Sequence, residues 1–353
     1  MVVIQKKTVL LSRFFHEPDN SLPTLLNSAN HILSGRNLLY LLVTIFLSGY
    51  FNGYAQQTTL ITHYMFTNMA INPASAGDGG GITVTGLTRQ QWMGFKDPDG
   101  TKTAPQTYLL TADAPIRVLH GGIGGMICQD QLGFYKTICV KLGYAYRMEA
   151  GNGDLSFGLQ GILQNGTFDF SKFDLGQGAG NISEDPVLRE ISGKTTDMSI
   201  DMGAGVFYRV ADKYYIGLSA ENLLQSKSKK IVYQARRTFY LTGGYEWIIP
   251  NHPAFEILPS AIFMYDGGTF QFNIDALLMY NKKFYGGLGY RWQDAVSVLA
   301  GMNIKGVKVG LSYDICTSSM TKYNSGGLEV MVSYCFKIDT DKFRKSYRNT
   351  RFL

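Results

Sequence analysis

The chain has 353 residues, with 33 Lys and Arg against 27 Asp and Glu, for a formal net charge of +6. Four of the cations and two of the anions lie in the first 55 residues, and the tail holds Lys337, Lys342, Arg344, Lys345, Arg348 and Arg351 against Asp339 and Asp341, so the body between is close to neutral. That excludes nucleic acid as a partner, which needs a basic face on the folded domain; the tail is left as a contact for an anionic surface or a periplasmic partner.

Residues 1–55 read as an N-terminal extension plus signal peptide. Arg36 precedes the apolar run Leu38–Phe51 and a small-residue exit at Gly53-Tyr54-Ala55, the order of a secretory leader. Cleavage is expected near Ala55, with the mature chain starting at Gln56. The long preamble fits a start codon placed too far upstream. No other stretch reaches the roughly 20 apolar residues of a spanning helix, so residence in a membrane has to be as a barrel.

Composition points the same way. Aromatics make up 13%, with 22 Tyr and 21 Phe, and Gly is abundant at 40 against 10 Pro. Mean hydropathy is near zero, as alternating strands produce when their two faces cancel.

After a pre-barrel segment, 56–80, the pattern predicts an all-β fold, a transmembrane antiparallel β-barrel over 81–336, and the basic periplasmic tail 337–353. Strands are expected at about 82–93, 103–114, 120–130, 135–148, 153–166, 197–210, 213–222, 236–248, 255–265, 269–280, 283–293, 295–303, 306–315 and 326–336. Fourteen is an even number, as single-chain bacterial barrels have. Tight joins such as Gly151-Asn152, Ala211-Asp212, Asn281-Lys282 and Lys305-Gly306 belong to one rim. Long ones (94–102, 167–196, 223–235, 317–325) belong to the other. Short turns face the periplasm and long loops face outward, which puts both termini in the periplasm. The longest loop, after the fifth strand, is the expected outer contact surface.

The alternation is sharpest from Phe270 to Phe336. Phe270, Phe272, Ile274, Leu278 and Tyr280 alternate with Gln271, Asn273 and Asp275, and Val307, Val309, Leu311 and Tyr313 with Lys308, Gly310, Ser312 and Asp314. Period two means strands with one apolar and one polar face. Aromatics cap the apolar face near strand ends, and the other face carries Gly, Ser, Asn and isolated charges, so lipid lies outside and a polar lumen inside. Turning Lys308 or Arg291 toward mid-membrane lipid would cost roughly 2–4 kcal/mol. The charges Lys141, Asp201, Asp275, Arg291, Lys308, Asp314 and Glu329 therefore line the lumen, where mixed signs pair with each other or with a plug.

Few residues suit a reaction. His63 precedes the barrel, and His120 and His252 sit in turns, none beside a Ser and an acid in the arrangement a hydrolase needs. No enzyme, cofactor or metal site is expected. The glycines Gly121–Gly125 and Gly203–Gly205 lead into no helix, so they read as strand bends or bulges rather than phosphate loops. Cys128 and Cys139 are equidistant from a turn at Gly133-Phe134 and so can face each other, whereas Cys316 and Cys335 sit at opposite ends of the last hairpin.

Several segments carry a family resemblance. His63-Tyr64-Met65-Phe66-Thr67-Asn68, Ile71-Asn72-Pro73-Ala74-Ser75-Ala76-Gly77, Arg89-Gln90-Gln91-Trp92-Met93-Gly94-Phe95 and Lys322-Tyr323-Asn324-Ser325-Gly326-Gly327-Leu328-Glu329 resemble the PorP/SprF family of type IX secretion system membrane proteins of the Bacteroidetes. The likeness runs over about 57–353, departing at Cys335, where the family usually has Asp or another polar residue. It implies an outer-membrane barrel that supports export, docking or surface anchoring of secreted proteins or gliding adhesins with C-terminal sorting domains. Implied partners are that cargo, a periplasmic peptidoglycan-binding lipoprotein, other secretion-system subunits and outer-membrane lipid. The alternative is a passive or hydrophobic-compound outer-membrane channel. Partner contact or lumen occupation is expected of His63, Tyr64, Met65, Asn72, Pro73, Arg89, Gln91 and Trp92.

Overall fold

The computed structural model describes residues 60–95, 103–169, 193–227 and 235–337. The leader and its cleavage site, the tail beyond Lys337 and the middle of the longest loop lie outside them.

Fourteen strands form one closed antiparallel wall. They are β1 (Gly81–Gln90), β2 (Gln106–Ile116), β3 (Gly121–Leu132), β4 (Tyr135–Ala150), β5 (Gly153–Asp169), β6 (Lys194–Val210) and β7 (Tyr214–Glu221). There follow β8 (Thr238–Tyr245, resuming at Trp247–Ile248), β9 (Phe255–Tyr265), β10 (Phe270–Tyr280), β11 (Phe284–Arg291), β12 (Ala295–Ile304), β13 (Val307–Cys316) and β14 (Gly327–Lys337). The break at Glu246 leaves β8 in register, since Ser260 faces Gly244 and Ile257 faces Trp247 on the same diagonal. Neighbours in sequence are neighbours in the wall, and β1 closes on β14 from Gly81↔Lys337 to Gln90↔Leu328.

Carried from strand to strand, the registers return to β1 about 14 residues along. This shear matches the strand number, as in eight-stranded barrels tilted by about 36°. At about 3.3 Å per residue, β1 then spans roughly 27 Å along the axis, the height of an outer-membrane apolar band.

The two faces sort as the alternation predicts. In β10, Gln271, Asn273 and Asp275 are buried while Ile274, Leu278 and Tyr280 are exposed. Exposed rings gather at both rims: Tyr146, Tyr280, Phe284 and Phe336 near the short turns, and Tyr108, Phe239, Tyr265, Tyr290 and Tyr313 near the long loops. Such rings, apolar in body and polar at one edge, fit the membrane–water interface. The hairpin at Lys305-Gly306 has both residues at positive φ, 52° and 85°, the backbone twist that suits a two-residue turn between twisted strands.

The segment ahead of β1 does not stay at the rim where β1 begins. Gly81 and Lys337 do lie together at the short-turn rim, but the chain ahead of Gly81 turns back into the barrel. Residues 60–77 fill the lumen as three short 3-10 turns, Tyr64–Phe66, Asn68–Ala70 and Pro73–Ser75. Thr62, His63, Tyr64, Ala74 and Ala76 are each 0% exposed, enclosed between the plug and the wall.

Candidate functional site: a peptide plug anchored at both rims

The outer end of the plug meets a buried charge cluster. Arg89 is the penultimate residue of β1, Arg291 the last of β11, Asp314 lies two before the end of β13, and Glu329 is the third of β14. All four therefore converge just inside the long-loop rim. Arg89 Nη1 reaches Glu329 at 3.0 Å and Arg89 Nη2 reaches Asp314 at 2.6 Å. Arg291 reaches Asp314 at 3.2 Å, and the Ser297 hydroxyl donates to Asp314 at 2.7 Å.

The plug completes this cluster. Glu329 accepts the backbone N–H of Thr62 at 2.9 Å and of His63 at 2.8 Å, and its carboxylate lies 2.7 Å from His63 Nδ1. Arg89 and Arg291 both donate to the Thr62 hydroxyl, at 2.5 and 3.1 Å. A carboxylate taken out of water is costly unless every lone pair finds a donor, and here wall and plug supply the donors jointly.

Midway down, Tyr64 donates to Ser260 at 3.2 Å, and Ser219 donates to the Ile71 carbonyl at 2.9 Å. Lys141 pairs with Glu221 and points at the Ala70 carbonyl, 3.4 Å away. Asn72 works in two directions. Its Oδ1 accepts the Ala74 N–H at 2.9 Å, capping a turn whose first residue is Pro73, and its Nδ2 donates to the Val206 carbonyl of β6 at 3.0 Å. Proline suits that first position because it has no N–H to lose.

The inner end is tied at the short-turn rim. The Gly77 N–H donates to Asp113 at 2.9 Å, Arg147 donates to the Gly77 and Ala76 carbonyls at 3.1 Å each, and Asp78 pairs with Arg209. Asp113, Arg147 and Arg209 lie within three residues of the short-turn ends of β2, β4 and β6.

A family model described as type IX secretion system membrane protein PorP/SprF matches residues 53–334. The chain belongs to that family. No curated protein matches it. Among solved structures, it is similar to the CymD monoaromatic hydrocarbon channel, with 11% identity, 77% of this chain and 93% of that chain covered, and a TM-score of 0.49. It is also similar to Acinetobacter baumannii Omp33, with 7% identity, 73% and 100% coverage and a TM-score of 0.41. A third likeness is to the translocator domain of the autotransporter NalP from Neisseria meningitidis, with 13% identity, 78% and 96% coverage and a TM-score of 0.41. This PorP/SprF protein is thus a type IX secretion membrane barrel of the outer membrane, and the family suggests a structural or transport role.

Of the residues singled out from sequence, His63, Tyr64, Asn72 and Pro73 lie in the plug, and Met65 packs beside Phe66 against the wall's apolar clusters. Of the Arg89–Trp92 stretch, Arg89 bonds to the plug, through the Thr62 hydroxyl. Gln91 and Trp92 shape the base of the first long loop instead: the Gln91 N–H donates to Pro105 at 2.9 Å, and Trp92, at φ 49°, stands edge-on to Phe95. Among the lumen charges, Lys141 pairs with Glu221, Arg291 with Asp314, and Glu329 with Arg89 and His63. Lys308 lies 4.0 Å over the Phe66 ring, a cation–π contact. Asp201 does something else, accepting the N–H groups of Leu224 and Ser226 to fasten the loop after β7. Asp275 is 1% exposed, with Tyr64 and Arg291 near its carboxylate but no well-aligned hydrogen bond among the described residues.

The glycine reading needs revision. Gly122, Gly124 and Gly205 lie in regular, fully paired strand, not in bends. A Cβ on Gly122 would stand 2.2 Å from the Ala76 carbonyl oxygen, one on Gly205 2.1 Å from Asn72 Oδ1, and one on Gly158 2.2 Å from the Ala74 nitrogen. These glycines make room for another backbone to approach. Their lumen-facing parity was available in the sequence; the plug that needs them was not.

Proposed function

We propose that this barrel is a closed docking platform of the type IX secretion system, holding exported cargo at its long-loop rim rather than passing it through the lumen. The observation that supports this reading is the occupied bore: residues 60–77 fill it from one rim to the other and share its buried charges. Cargo is a secreted protein or adhesin bearing a C-terminal sorting domain. The short-turn rim and the basic tail face the periplasm, where a peptidoglycan-binding lipoprotein and other secretion-system subunits anchor the barrel. The leader ending near Ala55 is removed during export.

The test has two arms. Deleting the gene is expected to abolish surface display of a specific large adhesin while other secreted proteins still reach the medium; unchanged display of all such cargo overturns the reading. In planar bilayers the purified protein is expected to be electrically silent, whereas a steady open-channel current supports the channel alternative.

A further inference from the structure

The direction in which the plug runs has a consequence for topology. Thr62 and His63 bond to residues at the long-loop ends of β1, β11, β13 and β14, while Gly77 and Asp78 bond to residues at the short-turn ends of β2, β4 and β6. The chain therefore travels from the long-loop rim to the short-turn rim before β1 begins at Gly81 and carries it back. Leu60 and Ile61, at the head of this path, pack in the apolar cluster with Met264 and Tyr240. Those two lie toward the long-loop ends of β9 and β8.

We propose that the chain enters the barrel from outside, with Leu60 at the rim that faces the cell's surroundings and Lys337 leaving β14 at the rim that faces the periplasm. The inference rests on the outward orientation of the long loops used above. Chain length supports it. With cleavage near Ala55, the four residues 56–59 reach at most about 14 Å when fully extended. That is about half the roughly 27 Å height of β1, and the way back is filled by the plug itself.

The arrangement also orders assembly. A segment cannot be threaded through a closed bore while a leader is attached to it, so the leader is cut and the plug laid in before β1 zips to β14. The seam then closes directly over the plug, because Arg89 and Glu329, which hold Thr62 and His63, are partners across it.

The experiment places an epitope between Gln57 and Thr58 in the full chain, expressed in its native host. Two controls carry the same epitope in the loop between β5 and β6 and in the Lys305-Gly306 turn. On intact cells the first tag and the loop tag are expected to bind antibody at least tenfold above background, and the turn tag only after the outer membrane is permeabilised. A loop tag visible on intact cells with a Gln57 tag that needs permeabilisation overturns the threading. A silent loop tag with a visible turn tag overturns the orientation instead. Because an insertion can hinder assembly, Thr58→Cys provides a second readout: a membrane-impermeant maleimide on intact cells should modify the peptide carrying residue 58, identified by mass so that the four native cysteines do not interfere. Protection of that peptide until permeabilisation refutes the proposal.

Discussion

Arg89 and Glu329 are register partners across the seam that closes the barrel, and their charges meet at 3.0 Å. The same Glu329 carboxylate accepts two backbone N–H groups of the plug. One ion pair thus joins the first strand, the last strand and the peptide in the lumen. Glu329→Ala removes the acceptor of two plug N–H groups and one of the two carboxylates that Arg89 bonds, leaving it Asp314 alone; breaking a buried pair in this way typically costs about 3–5 kcal/mol. Pairing Arg89→Met with Glu329→Leu should recover part of that loss, since neither partner of this pair then remains without the other. Thermal unfolding in detergent micelles of both single variants and the double variant tests this coupling; losses that simply add would refute it.

Glycines in β5 separate plug packing from strand chemistry. A Cβ on Gly158 collides with the plug backbone, whereas one on Gly161 meets nothing within 4 Å. Both substitutions to alanine relieve glycine's backbone entropy cost. Gly161→Ala is expected to raise stability by about 0.5–1 kcal/mol and to leave bilayer silence unchanged. Gly158→Ala should lower stability by about 1–3 kcal/mol, as overpacking does, and produce intermittent current as the plug loosens. Equal behaviour of the two variants would remove the plug contact as the reason for Gly158.

Asp275 is a buried acid whose oxygens make no well-aligned hydrogen bond among the described residues, with Tyr64 and Arg291 near its carboxylate. Keeping a weakly partnered carboxylate there is unfavourable. Asp275→Asn, close in shape and uncharged, is therefore expected to stabilise the barrel by about 1 kcal/mol or more. Chemical unfolding in micelles gives the answer, and a destabilised variant would show that the carboxylate has a partner of its own.

Cys128 and Cys139 face each other in register on β3 and β4, both as free thiols. The Arg147 N–H bonds to the His120 carbonyl in the same ladder, and alternation from there places the cysteines at a hydrogen-bonded position. Side chains at such positions stand farther apart than at the intervening ones, near 5.5 Å between Cβ atoms, beyond the roughly 3.5–4.5 Å a disulfide needs. Alkylation under denaturing, non-reducing conditions should modify both. A cross-linked peptide joining residues 128 and 139 would contradict this.

Much of the wall was legible in the residues alone. Period-two alternation over Phe270–Phe336, the turn residues at Lys305-Gly306 and Asn281-Lys282, and the difference between short and long joins are local properties. A one-residue slip would drive Arg291 or Lys308 into lipid, so strand number and facing follow without knowledge of the partners. Boundaries shifted by a few residues, as at β1 and β2, because a strand ends where its partner stops pairing, here at Gln90↔Gln106, and that is not a local property.

The plug was another matter. Residues 60–77 show neither strand nor helix periodicity, and their order comes from contacts far away in sequence: Thr62 with Glu329, Asn72 with Val206, Gly77 with Asp113. Whether His63 and Glu329 share a hydrogen bond, whether Gly158 is a hinge or a seat, and whether Asp201 is a channel charge or a loop fastener were settled only when the sheet closed. Facing is a matter of nearest neighbours along a strand, and chemistry with lipid or water decides it locally. Occupancy of the bore depends on bringing residues some 250 positions apart within 3 Å, and no local pattern records that.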